Sequence, residues 1–406
     1  MDPVKRQYET YPYPARNPAD EATRLIEGSP SHPLEIDHFL FGGTRDWRQP
    51  FRALVAGGGT GDGLIMLAQK LADIGCPAEI TYLDLSEASR AVAEARAAAR
   101  GLSGIRFLTG DLLSAPDHGP FDYIDCCGVL HHLPDPDAGF RALAAALAPE
   151  GGIGLMVYAP HGRAGVYPLQ EAFGTLLKED TPEEQVTLAR AALARLSPAH
   201  PFVRNPLLGD HKDGDAGLYD LLLHSHDRPY SVEDLAGALG SAGLAIVSFV
   251  EQGCYDPARY LPREEAFRDR LARLDPLAQA ALAEKLAGNM KTHVVYAAAK
   301  DRAGGLMANG RQPGQVPHLR GVSPTGLAKQ IKAKGHVPVT LKSLEFRVSL
   351  PRDAAPLIAQ VDGRNTLQRI AAGAGLDWIA FLQIWGAVHR ELTGFNLLNY
   401  SQGARL

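Results

Sequence analysis

Four cysteines in 406 residues, none in a CxxC pair or ladder, leave neither a zinc site nor a disulfide framework to build on. Cys126 and Cys127 are neighbours at the end of an apolar run, where strand-end packing is the expectation. No apolar run approaches the ~20 residues of a bilayer span. The opening residues lack the apolar core of a secretory leader, so a cytoplasmic protein is expected. Excess charge is missing as well: a net charge of -5 gives no global attraction to nucleic acid, and none is expected as a partner. What is present, 45% hydrophobic against 21% charged residues, suffices for packed cores, and the length suits two or three domains.

The chain is organised around FRALVAGGGTGDG, from Phe51 to Gly63. A short apolar strand, Ala53 to Ala56, runs into Gly57, Gly58, Gly59, Thr60 and Gly61, and a helical run begins at Leu64. Strand, glycine turn and helix form the first unit of a nucleotide-type α/β fold, in which ligand atoms touch main chain. The open N–H groups of the helix start favour a negatively charged ligand group. A dinucleotide-binding turn requires Gly-x-Gly-x-x-Gly. Here that third position falls on Asp62 or Leu64, whereas Gly57-x-Gly59-x-Gly61 fits a different turn.

Further elements follow in order. Asp84, twenty-three positions beyond Gly61, ends a second strand, where a carboxylate can hold a ribose diol. Leu85 follows it. A third strand, Ile105 to Leu108, leads to Thr109-Gly110-Asp111-Leu112, and a fourth, Phe121 to Cys126, leads to Cys127-Gly128-Val129-Leu130-His131-His132. This series resembles the class I S-adenosylmethionine-dependent methyltransferases. The resemblance implies a Rossmann-like, doubly wound α/β fold with a seven-stranded sheet. It also implies S-adenosylmethionine as cofactor, with Gly57, Gly58, Gly59, Gly61, Asp84, Leu85, Asp111, Leu112 and Gly128 around it. Asp111 falls at the family's adenine position, and the segment through Gly128 at the floor beneath the sulfonium. One departure stands out: the acid that many relatives carry two positions before the first glycine is Val55 here.

Residues 1–50 read as a Tyr/Pro-rich arm, with Tyr8, Tyr11 and Tyr13 among prolines that prevent a helix over 11–18. The arm is either a packed tail or a lid offering phenols near the methyl group. Residues 51–300 are expected to hold the cofactor domain, with helical insertions at about 160–228 and 254–290. Ser231-x-x-Asp234 has the spacing of a capping box. A Gly/Pro-rich basic linker is expected over 301–334. Over 335–406 two strand-like runs and two helices suggest a small α+β, winged-helix-like unit. That unit carries seven Lys/Arg against five Asp/Glu, too balanced for a phosphate footprint, so docking or homodimerisation is the expectation.

Methyl transfer needs alignment of a nucleophile and, for a hydroxyl, a base. Tyr13, His131, His161 and Tyr167 are expected at the methyl-facing end. His211, His224 and His226 show no fixed metal-ligand spacing, and no metal is expected. An amide or nucleobase Asn/Asp-Pro-Pro-Tyr motif is absent, with Cys127-Gly128-Val129-Leu130 in its place. The whole layout is similar to bacterial protein lysine methyltransferases described from rickettsial bacteria, which brings protein lysine forward as acceptor. A small-molecule N- or O-acceptor, a non-catalytic cofactor-binding regulator and, within this fold, a dehydrogenase are the alternatives.

Overall fold

The computed structural model describes residues 3–341 and 344–402. Seven strands form the central sheet: β1 Phe51–Ala56, β2 Ala78–Asp84, β3 Ile105–Thr109, β4 Phe121–Cys127, β5 Leu147–Tyr158, β6 Leu244–Phe249 and β7 Thr292–Ala299. Their order is β3-β2-β1-β4-β5-β7-β6. Every pairing from β3 to β5 is parallel, while β7 runs antiparallel to both β5 and β6. Strand order reverses between β1 and β4, and a crevice opens there beyond the carboxyl ends of the strands, where ligands of open α/β sheets bind.

The sheet is buried on both faces, as a mostly parallel sheet requires. Leu54, Ile124, Leu155 and Val157 pack toward one layer of helices, and Phe51, Ala53, Tyr82 and Tyr123 toward the other. Each of the larger aliphatic side chains and Phe51 contributes roughly 1.5–3 kcal/mol when fully buried. Helix starts are capped as their residues dictate: Ser86 accepts from the Ser89 N–H at 3.0 Å, and the Ser231/Asp234 capping box closes reciprocally.

Between β5 and β6 lie helices Val166–Leu176, Pro182–Leu193, Pro201–Arg204 and Asp215–Leu222, with a small core of their own around Leu169, Phe173, Val186 and Leu218. Between β6 and β7, turns at 252–259 precede helices Glu265–Leu271 and Pro276–Ala287. No single helix among the described residues is long and apolar enough to cross a membrane.

The C-terminal part departs from expectation. Residues 301–334, expected as a linker, contain β8 (Val316–Leu319) and helix Pro324–Lys334. β8 pairs antiparallel with β11 (Leu398–Ser401) at the far end of the chain, so the unit is already under way before residue 335. Strand pairing across eighty residues leaves no local signature, and the glycines and prolines that suggested a linker are its turns. The expected strand pair is present as the hairpin of β9 (His336–Leu341) and β10 (Leu344–Ser349). Helices Leu367–Gly373 and Trp378–Thr393 meet at 113°, within the usual range of a helix-turn-helix.

This unit rests on helix Pro33–Leu40, all eight of whose residues are buried. Glu35 there accepts hydrogen bonds from Ser29 Oγ at 2.7 Å, Tyr296 OH at 3.1 Å and Asn396 Nδ2 at 2.7 Å, and it pairs with Arg320. The Tyr400 N–H donates to His38 Nδ1. These partners from both neighbours offset much of the cost of burying polar groups on this helix.

Candidate active site

Above the β1/β4 switch point lies a cavity of about 500 Å³. Its floor is the glycine loop. Gly57 and Gly59 have φ of +68° and +52°, in the left-handed region that glycine alone adopts freely. A Cβ on Gly57 would stand 2.4 Å from a Val129 methyl, and one on Gly59 2.9 Å from the Tyr13 carbonyl. Asp84 closes the β2 side. Its carboxylate accepts the Gly59 N–H at 2.7 Å and the Ser86 N–H at 2.8 Å, which fixes its direction. Burial pushes this carboxyl above the usual carboxylate range, against those N–H donors, which pull it down. Asp111 caps the turn after β3 by accepting the Leu113 N–H at 2.8 Å, and Leu112, Leu113 and Leu133 supply apolar wall beside it. Leu85 and Gly128 line the same space. An acid at the end of β2, an apolar slot over β3 and bare main chain over β1 suit ribose, adenine and an amino-acid tail in that order.

Residues 54–153 match the model of a methyltransferase domain. They form a class I S-adenosylmethionine-dependent methyltransferase domain. The chain is 31% identical over 278 residues to an uncharacterized Synechococcus protein, a match spanning 67% of this chain and 65% of that relative's length. A ubiquinone biosynthesis O-methyltransferase of Xanthomonas axonopodis is 35% identical over 104 residues, covering 25% of this chain and 42% of that enzyme. Among solved structures, PKMT2 from Rickettsia typhi superposes with a TM-score of 0.62 at 14% identity, covering 91% of this chain and 75% of that one. Its complex with AdoHcy gives the same TM-score at 13% identity. At such identities the likeness is one of fold.

Of the expected contacts of the methyltransferase domain, Gly57, Gly58, Gly59, Asp84, Leu85, Asp111, Leu112 and Gly128 line the cavity. Gly61 does not. It caps helix Asp62–Asp73 at φ +98°, and a Cβ there would stand 3.1 Å from Ala93, so its role is helix-on-helix packing.

The N-terminal arm covers the cavity. Helix Pro3–Thr10, which the sequence did not announce, brings Val4 and Tyr8 over it, and Tyr13 and Pro14 follow. Glu9 accepts the N–H groups of Glu87 and Ala88 at 2.7 and 3.2 Å, an anion at a helix N-terminus. Thr60 Oγ1 donates to the Pro14 carbonyl at 2.6 Å, and Ser86 Oγ to the Tyr8 carbonyl at 3.1 Å. Beyond it Arg16 pairs with Asp62 at 2.6 Å, and buried Arg96 joins Asp62 to Glu21, each at 2.7 Å.

The far end of the cavity is polar and nearly closed. Asp220, 3% exposed on helix Asp215–Leu222, accepts from Tyr8 OH on Oδ1 and from Tyr158 OH on Oδ2, both at 3.1 Å. Burial raises its carboxyl, while the Arg163 guanidinium and the hydrogen bond from Tyr158 pull it down. A ring nitrogen of His132, one of His224 and an Asp220 oxygen lie within 4.8 Å of one another. His132 Nδ1 lies 2.7 Å from the His226 carbonyl, which only accepts, so Nδ1 carries the proton and Nε2 a lone pair. His224 is the opposite tautomer: its Nδ1 accepts the His226 N–H at 3.1 Å. Its Nε2 then carries the proton, 3.4 Å from the Tyr8 hydroxyl, and with these tautomers the trio offers a cation the lone pairs of His132 and Asp220 only.

Of the four side chains expected at the methyl end, Tyr13 alone lines the cavity. His131 lies behind it, its ring 4.0 Å from that of Tyr158 and both nitrogens unpartnered, and burial drives its pKa well down. Leu130–His132 is a 3-10 turn, so adjacent side chains fan about 120° apart and His132 takes the cavity position instead. His161 is exposed at the start of a short turn. Tyr167 stands one layer back, its hydroxyl accepting from Arg163 Nε at 3.0 Å. Arg163 in turn pairs with Asp227 at 2.7 Å and lies 3.7 Å from the Tyr158 ring centre. Tyr8, His132, Tyr158 and Asp220 were missed. His132 had a signal, a second histidine after the fourth strand; Asp220 had none.

Proposed function

We propose that the chain transfers the methyl group of S-adenosylmethionine to an amine nitrogen held at Asp220. The cofactor, when bound, supplies a methyl group already activated on a sulfonium. The chain's own residues must then attract the acceptor, free its lone pair and exclude water. The observation that carries the reading is a buried carboxylate aimed into the acceptor end of the cavity and held by two phenols. Such a group favours a cationic acceptor over a neutral one. An ammonium is not nucleophilic, and His132 Nε2, with its lone pair beside Asp220, is the group placed to take the proton. Tyr8, Tyr13 and Tyr158 present rings that suit an ammonium and its methylated products.

Transfer to a hydroxyl is the second reading, supported by the same His132 lone pair, which is the base a hydroxyl requires. The test is incubation of the enzyme and labelled S-adenosylmethionine with a cell lysate separated by size. Label on lysine in the macromolecular fraction supports a protein amine, and label on a small amine supports a metabolite. Label recovered only on oxygen overturns the amine reading. Absence of label with cofactor binding demonstrated overturns the enzymatic one.

A further inference from the structure

Asp125, on β4, is buried with its Oδ1 lacking any hydrogen-bond partner. Its Oδ2 lies against the first turn of helix Asp62–Asp73, where a Cβ on Gly63 would come within 2.3 Å of it. The absent side chain at Gly63 therefore makes the room this carboxylate occupies. Burial pushes the carboxyl above its usual range, and the Cys127 thiol and Ser31 hydroxyl offset that only in part. A buried carboxyl with one bare oxygen and no cation beside it has room for a charged donor.

The sheet order says which cation can reach it. With ribose at Asp84 on β2 and adenine over β3, the tail of the cofactor extends across β1 and β4. That tail carries an ammonium. Cys127 lines the cavity there, and Asp125 lies two residues before it, on the same face of the strand. Asp125 is also the register partner of Val55, the position where an acid was missing, and in a parallel pair both side chains share a face.

Asp125 stands behind Cys127 rather than in the lining itself, and the acids that do line the cavity are engaged. Asp62 pairs with Arg16 and Arg96, Asp111 and Asp135 cap turns, and Asp220 serves the acceptor end. We infer that Asp125 is the anionic counterpart of the cofactor's methionine ammonium, moved one strand across from the position held by Val55. The inference rests on S-adenosylmethionine binding in this cavity, and it assigns a charge that the glycine loop itself does not provide.

Calorimetry tests it with S-adenosylhomocysteine, which has the ammonium, and 5′-methylthioadenosine, which keeps the nucleoside and lacks the amino-acid tail. Asp125→Asn is expected to weaken S-adenosylhomocysteine roughly ten- to a hundredfold, the span of one charge-assisted hydrogen bond, and to leave methylthioadenosine unchanged. Unchanged affinity for both, or a measurable and equal weakening of both with binding retained, overturns it. Should the single variant bind neither ligand, Val55→Asp combined with Asp125→Asn is expected to restore S-adenosylhomocysteine binding; failure to do so also overturns the inference. A wild-type chain that binds no S-adenosylhomocysteine refutes the cofactor reading itself, a separate outcome from these.

Discussion

The two ends of the cavity are built in different ways. The end proposed for the cofactor comes from consecutive strand termini: the loop after β1, Asp84 ending β2, Asp111 after β3 and Gly128 after β4. Each part of that lining is a residue within a few positions of its own strand, and much of it is main chain. The end proposed for the acceptor comes from four distant places: Tyr8 in the arm, His132 after β4, Tyr158 ending β5 and Asp220 in an insertion helix. Here the chemistry is carried by side chains that meet only after folding. A cofactor common to many reactions can be held by a local, repeated device, whereas an acceptor needs a surface assembled for it.

The sharpest way to break this comparison is Asp220→Asn. If the far end serves only the acceptor, the variant loses roughly 10²–10⁴ in turnover, the span of a positioned acid-base group, while its affinity for S-adenosylhomocysteine by calorimetry stays at the wild-type value. A parallel loss of cofactor affinity would show the two ends to be one site.

Asp84→Ala is the converse. It is expected to weaken S-adenosylhomocysteine by about 1.5–3 kcal/mol, roughly ten- to a hundredfold, with turnover retained at saturating cofactor. Smaller still, Tyr8→Phe removes one of two donors to Asp220. About 1 kcal/mol, or some fivefold in acceptor-dependent kcat/KM, is expected from steady-state kinetics. An equal fall in cofactor affinity would mean that the arm acts as a clamp on both ends. The smallest effect is expected at His161. Its exposure and its absence from the cavity lining make His161→Ala neutral in both assays, and a loss of turnover would return it to the site.

How far the sequence carried follows from the same contrast. The first four strands were legible because each is a short apolar run flanked by turn residues, and the resemblance carried by the order of motifs implied the seven-stranded sheet. Ser231 and Asp234 were legible as a cap because the two groups are three residues apart. The strand within 301–334 was not, since Val316 to Leu319 becomes a strand only by pairing with residues from Leu398 to Ser401. The choice between His131 and His132 was beyond reach as well, because it depends on the hand of a single 3-10 turn.

By itself, then, the sequence determined the α/β core, the glycine loop and the carboxylate at the end of β2. Those features depend on spacing along one chain segment, and spacing is what a sequence records. Only the tertiary structure decided which side chains line the far end of the cavity, that the arm closes over them, and that helix Pro33–Leu40 is buried beneath the C-terminal unit. It also brought Asp125 beside Val55, through pairing of β1 with β4. In each of these cases the residues are far apart in the chain and are joined by hydrogen bonds and packing that exist only once the sheet has formed.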